Sequence, residues 1–409
     1  MSQSAALKKE DFMYVPYGMT VHGEEEIAAV VNVLRTSTQM GKNVREMEAR
    51  IAALFDKKHG IMVNSGSSSL YLAVESLQLP KGSEVITPAL TFSTTVACIV
   101  KNGLIPSFVD VESDTFCIDA SKIEAAITPN TSAMVIPNLL GNMPDWKEIG
   151  RIAKKHNLKV IEDSADTVGG EFQGVSSGHY SDISITSFYG SHVINCAGNG
   201  GMLCVNDDAV ADRVKLLRSW GRSSSLFVES EAIENRFNID IEGIEYDKKF
   251  VFEMIGYNLE PNEAGAAFGL VQLNKLHGNI DLREKFFDKQ YNFFKKYEAF
   301  FDLPRQCENT RTGWLAFPLV IKEDAPFSRR DFQIFLEKRN IQTRVIFTGN
   351  ILRQPGFKNI ECKGHVDDFV MADKVMRGGV LLACHHGLTD DMLAHVHESV
   401  EIFMSEYVK

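Results

Sequence analysis

Between residues 60 and 205 the chain repeats one unit: a short apolar run, a loop, then a stretch with helical spacing. The runs fall at 60–64, 84–87, 106–109, 133–137, 159–162, 183–186 and 202–205. Runs this short, rich in Val and Ile and apolar on successive residues, read as strands buried on both faces. Helical spacing falls between several of them, at 68–77, 145–156 and 207–219. This alternation predicts an α/β fold with a mainly parallel sheet lying between helices. Ligands on such sheets sit beyond the carboxyl ends of the strands, so the chemistry is sought in those loops.

The flanks are of a different kind. Upstream, Ile27, Val30, Val31 and Leu34 follow the acidic run 24–26 at helical spacing, and a second amphipathic helix is expected over 44–54. Downstream comes a polar, irregular excursion over 223–249, a strand- or loop-like 251–258, and a long helix from near 263 past 276, reaching toward 297. After Phe301 the pattern changes to WLAFPLVI, a helix over 328–339, then RVIF, GVLLAC and a closing helix, which reads as a separate α+β unit. With 409 residues, the expected division is a large domain over 1–285 and a small C-terminal one over 286–409.

A net charge of −11 gives no broad attraction for nucleic acid or anionic lipid, although a pocket of helix N-termini and arginines can still take an anion. The cysteines, at 98, 117, 196, 204, 307, 362 and 384, are scattered and never form CxxC. That pattern fits reduced thiols in a cytoplasm rather than a disulfide framework or a metal site. The opening MSQSAALKKEDF has no apolar core like that of a signal peptide, and no apolar run approaches membrane length. The expectation is a cytoplasmic protein without nucleic-acid or membrane partners.

Three clusters stand at expected strand ends. Asn64-Ser65-Gly66-Ser67-Ser68-Ser69 turns a strand into a helix, where free N–H groups and serine hydroxyls make a phosphate cradle; plain N-capping by serine explains the same residues. Glu162-Asp163-Ser164-Ala165-Asp166 places carboxylates where one could face a protonated ring nitrogen, or merely cap a turn. The third, from Ser187 through His192 to Gly201, ends in a glycine-rich turn where backbone can approach a ligand.

Taken together, their order and spacing resemble the fold-type I, pyridoxal-phosphate-dependent sugar aminotransferase family. The resemblance runs from MTVHGEEEIAAVVNVL through MGKNVREMEARIAALF to GVLLACHHGLTDDML. It implies that Gly66, Ser67 and Ser68 hold the cofactor phosphate, which Ser187 also touches. Phe92 then stacks on the ring, and Asp163 pairs with the pyridine nitrogen. Asn258, in Gly256-Tyr257-Asn258, resembles the asparagine that reaches the neighbouring subunit's phosphate, which implies a homodimer with shared active sites.

One position departs from the aminotransferases. The family's covalently anchoring lysine lies five residues after the serine matched by Ser187; here that residue is His192, and no lysine occurs from 185 to 214. Imidazole forms no stable Schiff base but carries protons near neutral pH. This substitution, with Asp166 in place of the usual glutamine in the cofactor site, resembles the nucleotide-linked 4-keto-6-deoxysugar 3-dehydratases within the family. The segment 343–355 is similar to theirs too, and in it Arg344 and Arg353 are candidates for the substrate diphosphate. The subgroup implies pyridoxamine phosphate as the working cofactor, loss of the sugar C-3 hydroxyl, and His192 as proton carrier. Some members of the subgroup also carry an iron–sulfur cluster on cysteines after a Trp-Gly-Arg motif. Here Trp220-Gly221-Arg222 is followed by serines, so no cluster is expected and L-glutamate is the expected source of the amino group. The turn after His192 is one residue longer than usual, with Asn199 where the family often has glutamate. His385, His386 and Tyr189 could line the cleft, or lie at the surface or pack; Trp220 is expected to pack. Two alternatives stay open: an aminotransferase working without the covalent lysine, and a non-catalytic homologue that binds the cofactor.

Overall fold

Seven strands make the central sheet: β1 (His59–Val63), β2 (Glu84–Pro88), β3 (Ile105–Val109), β4 (Thr131–Pro137), β5 (Lys159–Asp163), β6 (Ile183–Ser187) and β7 (Gly201–Val205). In the computed structural model, which describes residues 8–227, 232–237 and 239–408, their order is β1-β7-β6-β5-β4-β2-β3. β2 to β6 run parallel, whereas β7 is antiparallel to both β6 and β1.

Alternate residues of each strand are buried on opposite faces. Ile61, Val63, Val135, Ile161, Ile185 and Leu203 pack with Leu70, Ala73 and Val74 of α3 (Gly66–Ser76) and with Val214 and Leu217 of α6 (Asp208–Arg218). On the other face Met62 and Met202 meet α2 (Lys42–Leu54), while Met134, Ile136 and Val160 meet Trp146, Ile149 and Ile152 of α5 (Trp146–His156). Burial on both faces is what removed period-two alternation from the sequence. α1 (Glu24–Thr36), α4 (Ser93–Lys101) and a single turn at Ala120–Ile123 are the other α-helices described up to this point.

The expected helix from 263 to 297 is two helices, α7 (Glu263–Asn274) and α8 (Leu276–Phe294), joined at Lys275, whose ammonium pairs with Glu25 and Glu26 of α1. Apolar residues continue through the join, so periodicity does not mark it. A second, antiparallel sheet of β8 (Phe301–Asp302), β9 (Ala316–Ile321) and β10 (Gly379–Ala383) packs with α9 (Arg329–Lys338), α10 (Val370–Gly378) and α11 (Asp390–Met404). RVIF forms no strand; only the bridge between Arg344 and Leu381 ties it to β10. Val15 joins this C-terminal cluster, its N–H donating to the Asn340 carbonyl at 3.0 Å, so the segment before α1 crosses to the far end of the chain.

The excursion after α6 carries a short hairpin, Ile239–Ile241 with Ile244–Tyr246; residues 228–231 and 238 of it lie outside the described residues, as do residues 1–7 of the opening. Among the described residues no helix is long and apolar enough to cross a membrane.

Candidate active site

The carboxyl ends of β1, β5 and β6 meet at a cavity of about 400 Å³ lined by Gly66, Ser67, Phe92, Asp163, Asp166, Ser187 and His192. Its first wall is the start of α3. Ser65 caps the helix in an extended conformation, its hydroxyl accepting from the Ser68 N–H at 3.2 Å, and leaves the first amides to face the cavity. Glycine is required at 66: a Cβ there would stand 2.6 Å from the Ser187 Cβ. At Gly201 a Cβ would lie 2.3 Å from the Ser65 carbonyl carbon and oxygen. The helix start is therefore seated directly on β6 and β7.

Asp163 ends β5 and is buried. Its Oδ2 accepts from the Thr95 hydroxyl at 2.9 Å and its Oδ1 from the Ala165 N–H at 3.2 Å. Burial pushes its carboxyl up to about 6, with Glu162 adding to the effect while both hydrogen bonds oppose it. Asp166 accepts from the Leu140 N–H at 3.0 Å and is pushed up to about 7 by burial and then by Asp163. A cavity with two carboxylates this costly to ionise is built for a cationic or proton-sharing group. Across from them Phe92 keeps 53% of its surface exposed at the start of α4, its ring 5.8 Å from that of Phe347.

His192 lies on the irregular turn between β6 and β7. Its Nδ1 is 3.1 Å from the Ser187 carbonyl, which can only accept, so Nδ1 carries the hydrogen and Nε2 keeps its lone pair. Nε2 lies 3.8 Å from Asp166 Oδ1, and the ring meets Tyr189 edge-on at 5.9 Å. Burial is the main cause that lowers the imidazole to about 4; the Ser187 carbonyl works against it and Arg283 reinforces it. Near neutral pH the group is an uncharged base aimed at the carboxylates.

Ser68, expected on a phosphate, is not among the residues that line the cavity, and its hydroxyl donates to Asn64 Oδ1 at 2.6 Å. Arg353, expected on the substrate diphosphate, is paired with Asp373 and Asp367 at 2.5 and 2.9 Å and does not line this cavity. Arg344 is exposed and approaches the cavity only through Tyr17, its guanidinium 5.4 Å from that ring. Asn258 is exposed, opposite Ser219, and does not line this chain's cavity. His385 and His386 are buried behind the site, Tyr189 lines it, and Trp220 stays partly exposed under the Arg222 guanidinium. Sequence reading missed Tyr17 and Thr95, which also line the cavity. Nothing local marks Tyr17, whereas Thr95 follows the aromatic of the TFSTT run and could have been found there.

The donor set fits pyridoxal phosphate. Helix amides with Ser67 and Ser187 suit a phosphate dianion, Asp163 suits a protonated pyridine nitrogen, and Phe92 offers a ring face.

The profile of the DegT/DnrJ/EryC1/StrS aminotransferase family matches residues 20–401. The dTDP-4-dehydro-2,6-dideoxy-D-glucose 3-dehydratase of Saccharopolyspora spinosa is 33% identical over 96% of this chain and 86% of its own. The GDP-4-keto-6-deoxy-D-mannose 3-dehydratase of Yersinia pseudotuberculosis is 30% identical over 88% and 92%. Among solved structures, the E. coli GDP-4-keto-6-deoxy-D-mannose-3-dehydratase with bound hydrated PLP superposes with a TM-score of 0.83, 26% identity, and coverage of 95% and 100%.

Proposed function

Because this chain belongs to the DegT/DnrJ/EryC1/StrS aminotransferase family, we propose that it works with pyridoxamine phosphate to remove the C-3 hydroxyl of a nucleotide-linked 4-keto-6-deoxyhexose, with L-glutamate renewing the amine. The observation that carries this reading is His192, a neutral imidazole in the cavity at the position of the family's covalent lysine. The two relatives named as 3-dehydratases support it, spanning most of the chain.

When bound, the cofactor supplies an amine that condenses with the sugar ketone and a ring that spreads negative charge. This chain's own groups do the rest. The α3 amides, Ser67 and Ser187 would hold the phosphate, and Phe92 would offer its face to the ring. Asp163 holds a proton on the ring nitrogen; the pairing restores the carboxylate that burial alone disfavours. His192 Nε2, with its lone pair free, would be the base for a proton of the bound cofactor's methylene carbon and would then hold that proton as an acid for the leaving hydroxyl. Asp166 Oδ1, at 3.8 Å, faces that imidazolium and stabilises it.

Asn258 is assigned to the partner copy's phosphate, in a homodimer. Phe252 and Ile255 beside it expose 58% and 94% of their surface, an apolar face that a second copy would cover. The division into domains at about 285 is likewise proposed.

The test incubates the pure protein with pyridoxal phosphate, glutamate and a panel of 4-keto-6-deoxysugar nucleotides, read by mass spectrometry. A deoxygenated ketosugar with 2-oxoglutarate and ammonia is the expected outcome. An amino sugar, or no turnover of any member of the panel, overturns it.

A further inference from the structure

Arg283 lies in the apolar stripe of α8, with Ile280, Phe286 and Phe287 around it, and is fully buried. Each of its hydrogen bonds goes to a neutral acceptor. Nη1 donates to the Trp314 carbonyl at 2.9 Å and the Leu315 carbonyl at 3.4 Å, Nη2 to the Ser191 carbonyl at 3.0 Å, and Nε to His386 Nδ1 at 3.2 Å. A buried guanidinium with no carboxylate bonded to it is costly, so its placement needs a reason.

Ser191 immediately precedes His192 on a turn without regular structure. Resting on the reading of His192 as proton carrier, we propose that Arg283 is the positioning residue of that imidazole. Its guanidinium ties the Ser191 carbonyl to the 314–315 backbone and to His386, fixing the His192 backbone while holding a permanent positive charge behind it. The clamp joins three stretches distant in sequence, so the turn cannot drift without breaking hydrogen bonds in all of them.

The charge has a second effect. His192 is faced by Asp166 from the turn after β5, by Asp163 at the end of that strand, by Tyr17 from the N-terminal segment and by Tyr189 on its own turn. Behind these stand Arg283 on α8 and His385 and His386 after β10. Ionised Asp166 favours the imidazolium; Arg283 opposes it and also favours the ionised form of Asp166. Arg283 is the charge of this group that stays on throughout the working pH range. It thus works with burial to resist protonation of the imidazole as pH falls, while near pH 7 the clamp is its contribution.

The experiment follows the His192 imidazole by 15N NMR titration in the protein without cofactor, for wild type, Arg283→Lys and Arg283→Gln, with His192→Asn to assign the signal. The midpoint lies below the ordinary imidazole value in wild type, higher in Arg283→Gln, and close to wild type in Arg283→Lys. In the loaded enzyme at pH 7 the imidazole is neutral in all three, so kcat reports the clamp. It falls about a hundredfold in Arg283→Gln and about tenfold in Arg283→Lys, with KM for the sugar nucleotide within about twofold. A crystal structure of the wild type in which the Arg283 guanidinium does not bond the Ser191 carbonyl overturns the proposal without any variant, even if both variants fail to fold. A folded Arg283→Gln with an unmoved midpoint and unchanged kcat overturns it as well. Full deoxygenation by His192→Asn is a separate failure: it removes the role given to the imidazole and leaves the clamp to be judged on the midpoint.

Discussion

Replacing Gly66 by alanine tests how closely the phosphate cradle is seated. The new Cβ falls 2.6 Å from Ser187 Cβ, 3.0 Å from its Oγ and 3.3 Å from its Cα, against an ordinary contact of 3.4 Å or more. The start of α3 must retreat by about 0.8 Å, or β6 must yield, and β6 is a buried central strand. Overpacking of this kind costs about 1–3 kcal/mol of stability. The retreat also carries the first amides of α3 away from the phosphate position. Loss of one charge-assisted hydrogen bond costs about 2 kcal/mol, or about thirtyfold in affinity for pyridoxal phosphate. The assay is an absorbance titration of the protein with pyridoxal phosphate beside a thermal melt. Gly278→Ala is the control: nothing lies within 4 Å of its Cβ, it sits in the first turn of α8, and it is expected to stabilise by about 0.5–1 kcal/mol with cofactor affinity unchanged. Gly66→Ala binding within about threefold of wild type, with an unmoved melt, would refute the reasoning.

Three further outcomes are expected. His192→Lys gains a covalent Schiff base with the cofactor, seen as visible absorbance that borohydride fixes, and loses at least about a hundredfold in hydroxyl removal; undiminished removal would take His192 out of its role. Asp163→Asn keeps its hydroxyl donor Thr95 but loses the charge facing the ring nitrogen, and cofactor affinity falls about a hundredfold, measured by the same titration. Acid unfolding follows the buried histidines. His192, His385 and His386 are lowered to about 4, 4 and 3, so the stability they hold is complete above 6.5 and is lost as pH falls toward 4. Asp163 and Asp166, raised to about 6 and 7, run the other way and gain stability on acidification. His397 is lowered to about 4 as well, so four histidines stand against two aspartates and a net loss of stability is expected as pH falls below 6.5, read by urea unfolding; a flat profile contradicts the burial of these rings.

The sequence by itself determined the strands, because a strand buried on both faces must be a short continuous apolar run, and every expected run from 60–64 to 202–205 is a strand of the central sheet. It also marked the serine turn, the carboxylates after β5 and the histidine of the β6–β7 turn, because chemistry at strand ends is written in consecutive residues. It could not find what comes from elsewhere in the chain. Tyr17 reaches the cavity from the N-terminal segment, and Arg283 looks like one more residue of a long helix until its three carbonyl partners and His386 are seen around it. Arg353 shows the converse, a cation suited to phosphate that two nearby aspartates have already taken. Periodicity records which face of an element is buried; which charges meet is decided only when distant segments close on one another, since a guanidinium bonds to whatever acceptor lies within about 3 Å.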